Sequence, residues 1–440
     1  MTTLSQGSIR ISSNRRFLVR EDGKPFFYLG DTAWEIFHRL NRGEAEWFLR
    51  DRAAKGFTVV QSVVLAEEDG LNDPNPYGHR PLIDNDPTRP NEAYFEHVDF
   101  IVSVMESLGM WCGMLPTWGD KWNVKWGVGP EVFTPENARI YGEFLGRRYR
   151  DKPIIWILGG DRPVETQNHR DILNAMAAGL RAGDEGRHLM TFHPVGGKSS
   201  SEYWHDAEWL DFNMWQSGHT RNTPNWQCIA HDYALAPTRP CMDGEPAYED
   251  HPSAFDIQNG YLDAYDNRKS LYWALFAGAH GHTYGCNPIW QFFTPGKTPK
   301  SFCRHTWQEA LHFPGSGQMQ YARRLIESRP FLSRVPDQSL IVGDAGEGSY
   351  HVQATRDVER SYALVYCPAV RPVTVDLGRL AADVLDVHWY DPRTGAVHRV
   401  GRIKNEGPRE FTPPRLWPDW VLALDDASAN YPPPGSAKYD

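Results

Sequence analysis

The chain has 440 residues, a formal net charge of -10, 40% hydrophobic and 23% charged residues. That length exceeds one compact core and predicts a large domain plus a smaller one, and the composition excludes a disordered chain. The acidic balance, with no basic run interleaved with aromatics, argues against a nucleic-acid partner, and no stretch has the length and apolarity of a membrane span.

The opening residues, MTTLSQGSIRISSNRRF, lack the apolar run of a secretory leader. The six cysteines (Cys112, Cys228, Cys241, Cys286, Cys303 and Cys367) have no CxxC spacing. Both points predict a cytoplasmic protein with neither a zinc site nor a disulfide framework. The segment IRISSNRRFLVREDGKPF reads as a hairpin turning at Asp22 and Gly23, placed to cap a barrel floor.

From about residue 26 to 330, short apolar runs alternate with segments of helical period. The runs are FFYLGD (26–31), FTVVQSVV (57–64), WCGMLPTW (111–118), IIWILGGD (154–161), HLMTFHP (188–194), DFNMWQS (211–217), CMDGEP (241–246) and GHTYGC (281–286). Eight candidate strands are the number that a closed parallel (β/α)8 TIM barrel requires. Between them, Asn41 with Glu44 reads as a capping pair, and Thr134 with Pro135 as a cap and first helical residue. Tyr94, Val98, Ile101, Val102, Met105 and Leu108 give one helix a single apolar face. The connections after the second and third strands are long and rich in Pro, Asn, Gly and Trp, which places them at a catalytic mouth.

Near residue 335 the rhythm changes to short strands broken by turns, among them SLIVGD, YALVYCP and DWVLALDD, with DPRTG as a hairpin turn. The fold class expected is α/β, with a barrel domain over 1–335 followed by a small antiparallel β-sandwich over 338–440. The tail YPPPGSAKYD reads as frayed or draped on the surface.

Two of the predicted strands end in carboxylates. Alternation puts Ile155, Ile157, Gly159 and Asp161 on one face, and Cys241, Asp243 and Glu245 on another. Two acids facing one cavity diverge in protonation, which is what glycoside hydrolysis uses. The favoured assignment makes Glu245 the nucleophile and Asp161 the acid, then base. A competing role for either is a helix N-cap. Asp31 reads as a ligand of sugar hydroxyls or as an N-cap, and Asp243 as a residue that orients Glu245. Gln61 is polar in an apolar strand and predicts a hydrogen bond facing the cavity. Asp120 reads as a substrate contact, and Tyr284 as a donor to the nucleophile or an ordinary half-buried Tyr. Of the 17 Trp, Trp34, Trp118, Trp122, Trp126, Trp215 and Trp290 fall at or beyond strand ends, where their faces could stack on sugars. Trp47, Trp111, Trp156 and Trp273 sit within periodic segments and read as packing residues. The first strand ends in GDTAW without histidine, and His280 and His282 lie at the wrong end of the eighth, so neither a metal nor another cofactor is expected.

Taken together, GDTAWEIFHRL, DRAAKGFTVVQ, YGHRPLIDNDPTRPNEAYFEHVD, LPTWGDKW, WILGGDRP, MDGEPAYED and LFAGAHGHTYGCNPIWQF resemble the apiosidase-like catalytic domain of glycoside hydrolase family 140. The tail, with WYDPRTG and DWVLALD, resembles the collagen-binding-type β-sandwich often appended to it. The resemblance implies a retaining, exo-acting glycosidase with Asp161 in the acid/base position and Glu245 in the nucleophile position. It also implies a carbohydrate or small glycoside substrate, with apiose or a related furanoside or pentoside as the sugar released. A glycosidase of different sugar specificity on the same scaffold, set by the loops at 72–86 and 118–126, stays open. So does a non-catalytic carbohydrate-binding protein.

Overall fold

The computed structural model describes residues 7–414, 418–436 and 438. Each of the eight apolar runs forms a strand: β1 (Tyr28–Thr32), β2 (Val59–Leu65), β3 (Trp111–Thr117), β4 (Ile154–Gly159), β5 (Met190–His193), β6 (Asn213–Gln216), β7 (Cys241–Asp243) and β8 (Gly281–Tyr284). They pair in the order β5-β4-β3-β2-β1-β8-β7-β6, all parallel. Hydrogen bonds from Asp211 N to Met190 O (2.8 Å) and from Thr191 Oγ1 to Phe212 O (2.6 Å) close the seam between β5 and β6. Parallel neighbours need crossovers, and these carry α1 (Arg42–Ala54), α2 (Glu92–Ser107), α3 (Pro135–Tyr149), α4 (Gln167–Asp184), the single turn Ser201–Trp204 between β5 and β6, α5 (Asn225–Ala234) and α6 (Ala264–Phe276), with α7 (Pro314–Glu327) following β8. The expected caps are present. Asn41 and Glu44 form a reciprocal box at 3.0 Å each way, and Thr134 precedes Pro135 at the start of α3.

Inside the barrel, Val59, Val63, Trp111, Leu115, Ile155 and Ile157 build one apolar column. Ile9, Leu18 and Phe26 seal its floor from a small N-terminal sheet (Ile9–Ile11, Leu18–Arg20, Pro25–Phe26) that turns at Asp22 and Gly23. The same column ends at the top in Trp34, Trp118, Tyr248 and Trp290. The walls of the mouth are therefore the uppermost layer of the packed core, which holds them still. Trp111, Trp156 and Trp273 are buried as expected, whereas Trp47 is 48% exposed on α1, against Trp307.

The C-terminal part is a six-stranded sheet facing a three-stranded one, all antiparallel. DPRTG turns between Val384–Tyr390 and Val397–Lys404, while the strand Pro408–Phe411 was hidden by its polar sequence. This sandwich is fused to the barrel. Tyr272 of α6 stacks on Tyr366 at 4.9 Å, and Arg268 pairs with both oxygens of Asp419 at 2.8 Å. Arg329 does the same with Asp425, at 2.8 and 2.7 Å. The tail is draped and pinned: Pro432 O accepts from Arg329, and Gly435 N donates to Ser328 Oγ. Residues 437, 439 and 440 of that segment lie outside the described residues. Among the described residues no helix is long and apolar enough to cross a membrane.

Candidate active site

A cavity of about 530 Å³ opens at the C-terminal ends of the strands, and Asp161 and Glu245 both line it. Neither arrives by simple alternation. β4 ends at Gly159, and Gly159, Gly160 and Asp161 have φ of +98°, +100° and +54°. A Cβ on Gly159 would lie 2.2 Å from His193 O, and one on Gly160 2.6 Å from Gly119 N. The GGD sequence is thus a left-handed turn that only glycines can pack, and it aims Asp161 back over the mouth.

On β7 Cys241 and Asp243 share a face as expected, but it is the outer one, and Glu245 does not lie on it. Cys241 packs outward with Ile229 and Ala274, Met242 points into the barrel, and Asp243 faces outward to Asn225 Nδ2 (2.9 Å) and Ser217 Oγ (2.7 Å). Glu245 points inward because the strand stops at Asp243 and Gly244 turns, pressed against Met214 too closely for any side chain. Asp243 steadies this turn from behind, with burial holding its carboxyl up at about 6.

The two acids have opposite environments. Burial pushes Asp161 up and the Glu245 charge pushes further, against Arg162, His193 and a hydrogen bond from Trp126 Nε1 (3.3 Å). Burial alone would also raise Glu245. His193 Nε2 at 2.7 Å and His219 Nε2 at 3.2 Å outweigh it and hold Glu245 well below the usual carboxylate range. His219 Nδ1 lies 3.0 Å from Pro246 O, which can only accept, so Nδ1 is a donor and Nε2 is the nitrogen that faces Glu245. The Tyr248 hydroxyl adds an interaction with Glu245 and accepts from Trp34 Nε1 at 3.2 Å.

Of the predicted contacts, Trp34, Trp118 and Trp290 line the cavity, as does Trp126. The others do not. Asp31 faces outward into a buried ion pair with Arg52. Gln61 faces inward one layer down, bonding Gly244 O at 3.0 Å beneath the turn that carries Glu245. Asp120 is buried against Lys121 (2.7 and 2.8 Å) and accepts from Gly129 N, which shapes the loop bearing Trp126. Trp215 lies on the outer face of β6 and packs beside the cluster of Ile229 and Cys241, and Trp122 is buried, donating to Gly159 O. Tyr284 donates to Glu249, not Glu245, at 2.6 Å, and Glu249 is pushed up to about 7 by burial.

The sequence reading missed His193, His219, Tyr248 and Glu67. Glu67 lines the cavity 3.5 Å from Arg162 Nη2, and burial with the nearby Asp161 charge pushes it up to about 8. The available signals were a His at the end of the MTFH strand, a Tyr soon after Glu245 and an acid directly beyond β2. Among the described residues no three His, Cys, Asp or Glu side chains converge as a metal-ligand set.

Residues 12–333 match the family model described as "Apiosidase-like, catalytic domain". The chain belongs to that family. Residues 335–425 of this apiosidase-like protein match a second model, "Putative collagen-binding domain of a collagenase". A solved structure described as a glycoside hydrolase is 34% identical, with a TM-score of 0.90 over 98% of this chain and 100% of its own. Another, described as a glycoside hydrolase family 5 protein from Bacteroides vulgatus, is 33% identical, with a TM-score of 0.91 over 100% of this chain and 98% of its own. No curated protein matches. The apiosidase-like chain thus stands among the glycoside hydrolases, whose substrates are carbohydrates.

Proposed function

We propose that this protein is a retaining exo-glycosidase that removes a terminal furanoside or pentoside, apiose or a close relative, from a plant-derived glycoside. The observation that carries this reading is the opposed pair across one cavity: Glu245 held ionised between two histidines, Asp161 held toward its protonated form. In the first step a Glu245 oxygen bonds to the anomeric carbon as the bond to the leaving oxygen breaks, and Asp161 gives that oxygen its proton. In the second, Asp161 takes a proton from water, whose oxygen bonds to the anomeric carbon and releases Glu245. Exo action is supported by ion pairs Glu68–Lys300 (2.8 Å) and Asp73–Lys297 (3.0 Å). They tie the loop after β2 to the loop after β8, walling the cavity on that side. The size of the cavity suits a small ligand rather than a long glycan.

The test is a panel of 4-nitrophenyl furanosides and pentosides that includes the apioside, run with the wild type and Glu245→Gln. The expected result is turnover with the anomer retained in the first-formed product, an adduct on the Glu245 peptide from a 2-fluoro sugar, and a loss of about 10³-fold or more in the variant. Undiminished turnover by Glu245→Gln, or an inverted anomer, would overturn the assignment.

A further inference from the structure

Trp126 has a position that catalysis by the two acids does not require. It is 43% exposed at the mouth of a tightly packed site, yet its loop is anchored. Asp120 accepts from Gly129 N at 2.9 Å, Val124 N donates to Glu131 at 2.8 Å, and a Cβ on Gly127 would collide with Arg162 and Asp120. The indole has one occupied face, where the Arg162 guanidinium sits 4.7 Å from the ring centroid, and its edge donates to Asp161. A large aromatic fixed in place and still 43% exposed at the cavity mouth offers a stacking platform. The guanidinium behind it fixes the ring plane.

Its location decides what would stack there. The leaving group must place its oxygen within hydrogen-bond reach of Asp161, and Trp126 is bonded to that same carboxyl. Glu67 lies on the same side, bonded through the other arm of Arg162, and presents a polar group beside the indole. On the glycosidase reading above, on which this rests, we infer that Trp126 and Glu67 form the leaving-group subsite, which takes a flat ring alcohol, a sugar or a phenol, stacked on the indole. Burial and the nearby Asp161 charge push the Glu67 carboxyl up to about 8, and in its protonated form it can donate to a ring hydroxyl as well as accept.

The experiment compares the methyl, 4-nitrophenyl and glucosyl apiosides on the full-length wild type, Trp126→Ala, Trp126→Phe and Glu67→Ala. Trp126→Ala is expected to lose roughly ten- to a hundred-fold more kcat/KM on the two ring-bearing substrates than on the methyl one. Trp126→Phe keeps a ring but not the Nε1–H, so it should retain the ring preference. Its basic limb should move to higher pH, because the lost hydrogen bond favoured the ionised form of Asp161. A larger penalty for Glu67→Ala on the glucosyl than on the 4-nitrophenyl substrate assigns the subsite to a sugar, and the reverse to a phenol. Equal losses on methyl and ring-bearing substrates in Trp126→Ala would overturn the subsite. If the wild type turns over none of them, the apiose assignment fails, and calorimetry decides the subsite by itself. Tenfold weaker binding of the 4-nitrophenyl but not the methyl apioside by Trp126→Ala upholds it, and equal binding, or none by the wild type, sinks it.

Discussion

Two clusters of carboxylates sit at the top of this barrel, on opposite sides of the strand wall. The outer one holds Asp31 with Arg52, and Glu249 with Tyr284 and Gly315 N. The inner one holds Asp161 and Glu245 with His193, His219, Arg162 and Trp126 around a cavity. Both are built from acids at or just past strand ends, and the difference lies in what each acid faces. Outside, each acid meets a fixed protein partner packed between strand and helix. Inside, the acids meet titratable rings and space for a ligand, so their charge can change during a reaction without opening a core. It is the turns after the strands, and not the strand ends themselves, that carry Asp161 and Glu245 over the mouth.

The comparison is broken most forcefully by exchanging one acid from each cluster for its amide. Asp161→Asn is expected to cut kcat/KM by about 10² to 10⁴-fold on a glycoside with a poor leaving group, and far less on a 4-nitrophenyl glycoside whose leaving oxygen needs little proton donation. Its denaturation midpoint should stay close to that of the wild type. Asp31→Asn should behave oppositely. It leaves Arg52 buried with its main partner neutral, a loss of about 3 to 5 kcal/mol in denaturant unfolding, while turnover per folded molecule is kept. Tyr284→Phe removes the bond to Glu249 and should cost about 1 to 3 kcal/mol, with an unchanged pH profile. If that profile moved instead, the two clusters would be coupled through β8.

The subtlest test stays inside the cavity. His219 lowers the carboxyl of Glu245, so on the proposed mechanism its ionised form persists to low pH and the acid limb of kcat/KM is expected to lie correspondingly low. His219→Asn removes that support, the Glu245 carboxyl rises, and the acid limb should move to higher pH with little change at the plateau. An unmoved acid limb would show that His219 does not set the charge.

Much of this architecture was legible in the amino-acid order. The eight apolar runs, the Asn41 and Thr134 caps and the turn at Asp22 and Gly23 are local signals, and local signals survive folding. The side that a strand-end residue faces was not legible. Parallel barrel strands are buried on both faces, so β1, β6 and β8 carry no polar alternation to mark which side is in. Asp31, Trp215 and Tyr284 were therefore placed toward the mouth when they face the helices. Asp161 and Glu245 were placed there by an alternation that does not hold past Gly159 and Asp243, where glycine turns take over. His193, His219 and Tyr248 come from β5 and the segments after β6 and β7, and their convergence on Glu245 exists only once the barrel closes.

Helix α6 lies behind the strand that leads to Glu245, and its far side is the surface on which the sandwich rests, through Arg268, Tyr272 and Trp273. The sandwich is thus no interchangeable cassette. Recombination that traded it for another module would strip a bidentate arginine pair and an aromatic stack from the back of the catalytic half, so the two parts must be inherited, and engineered, as a single unit.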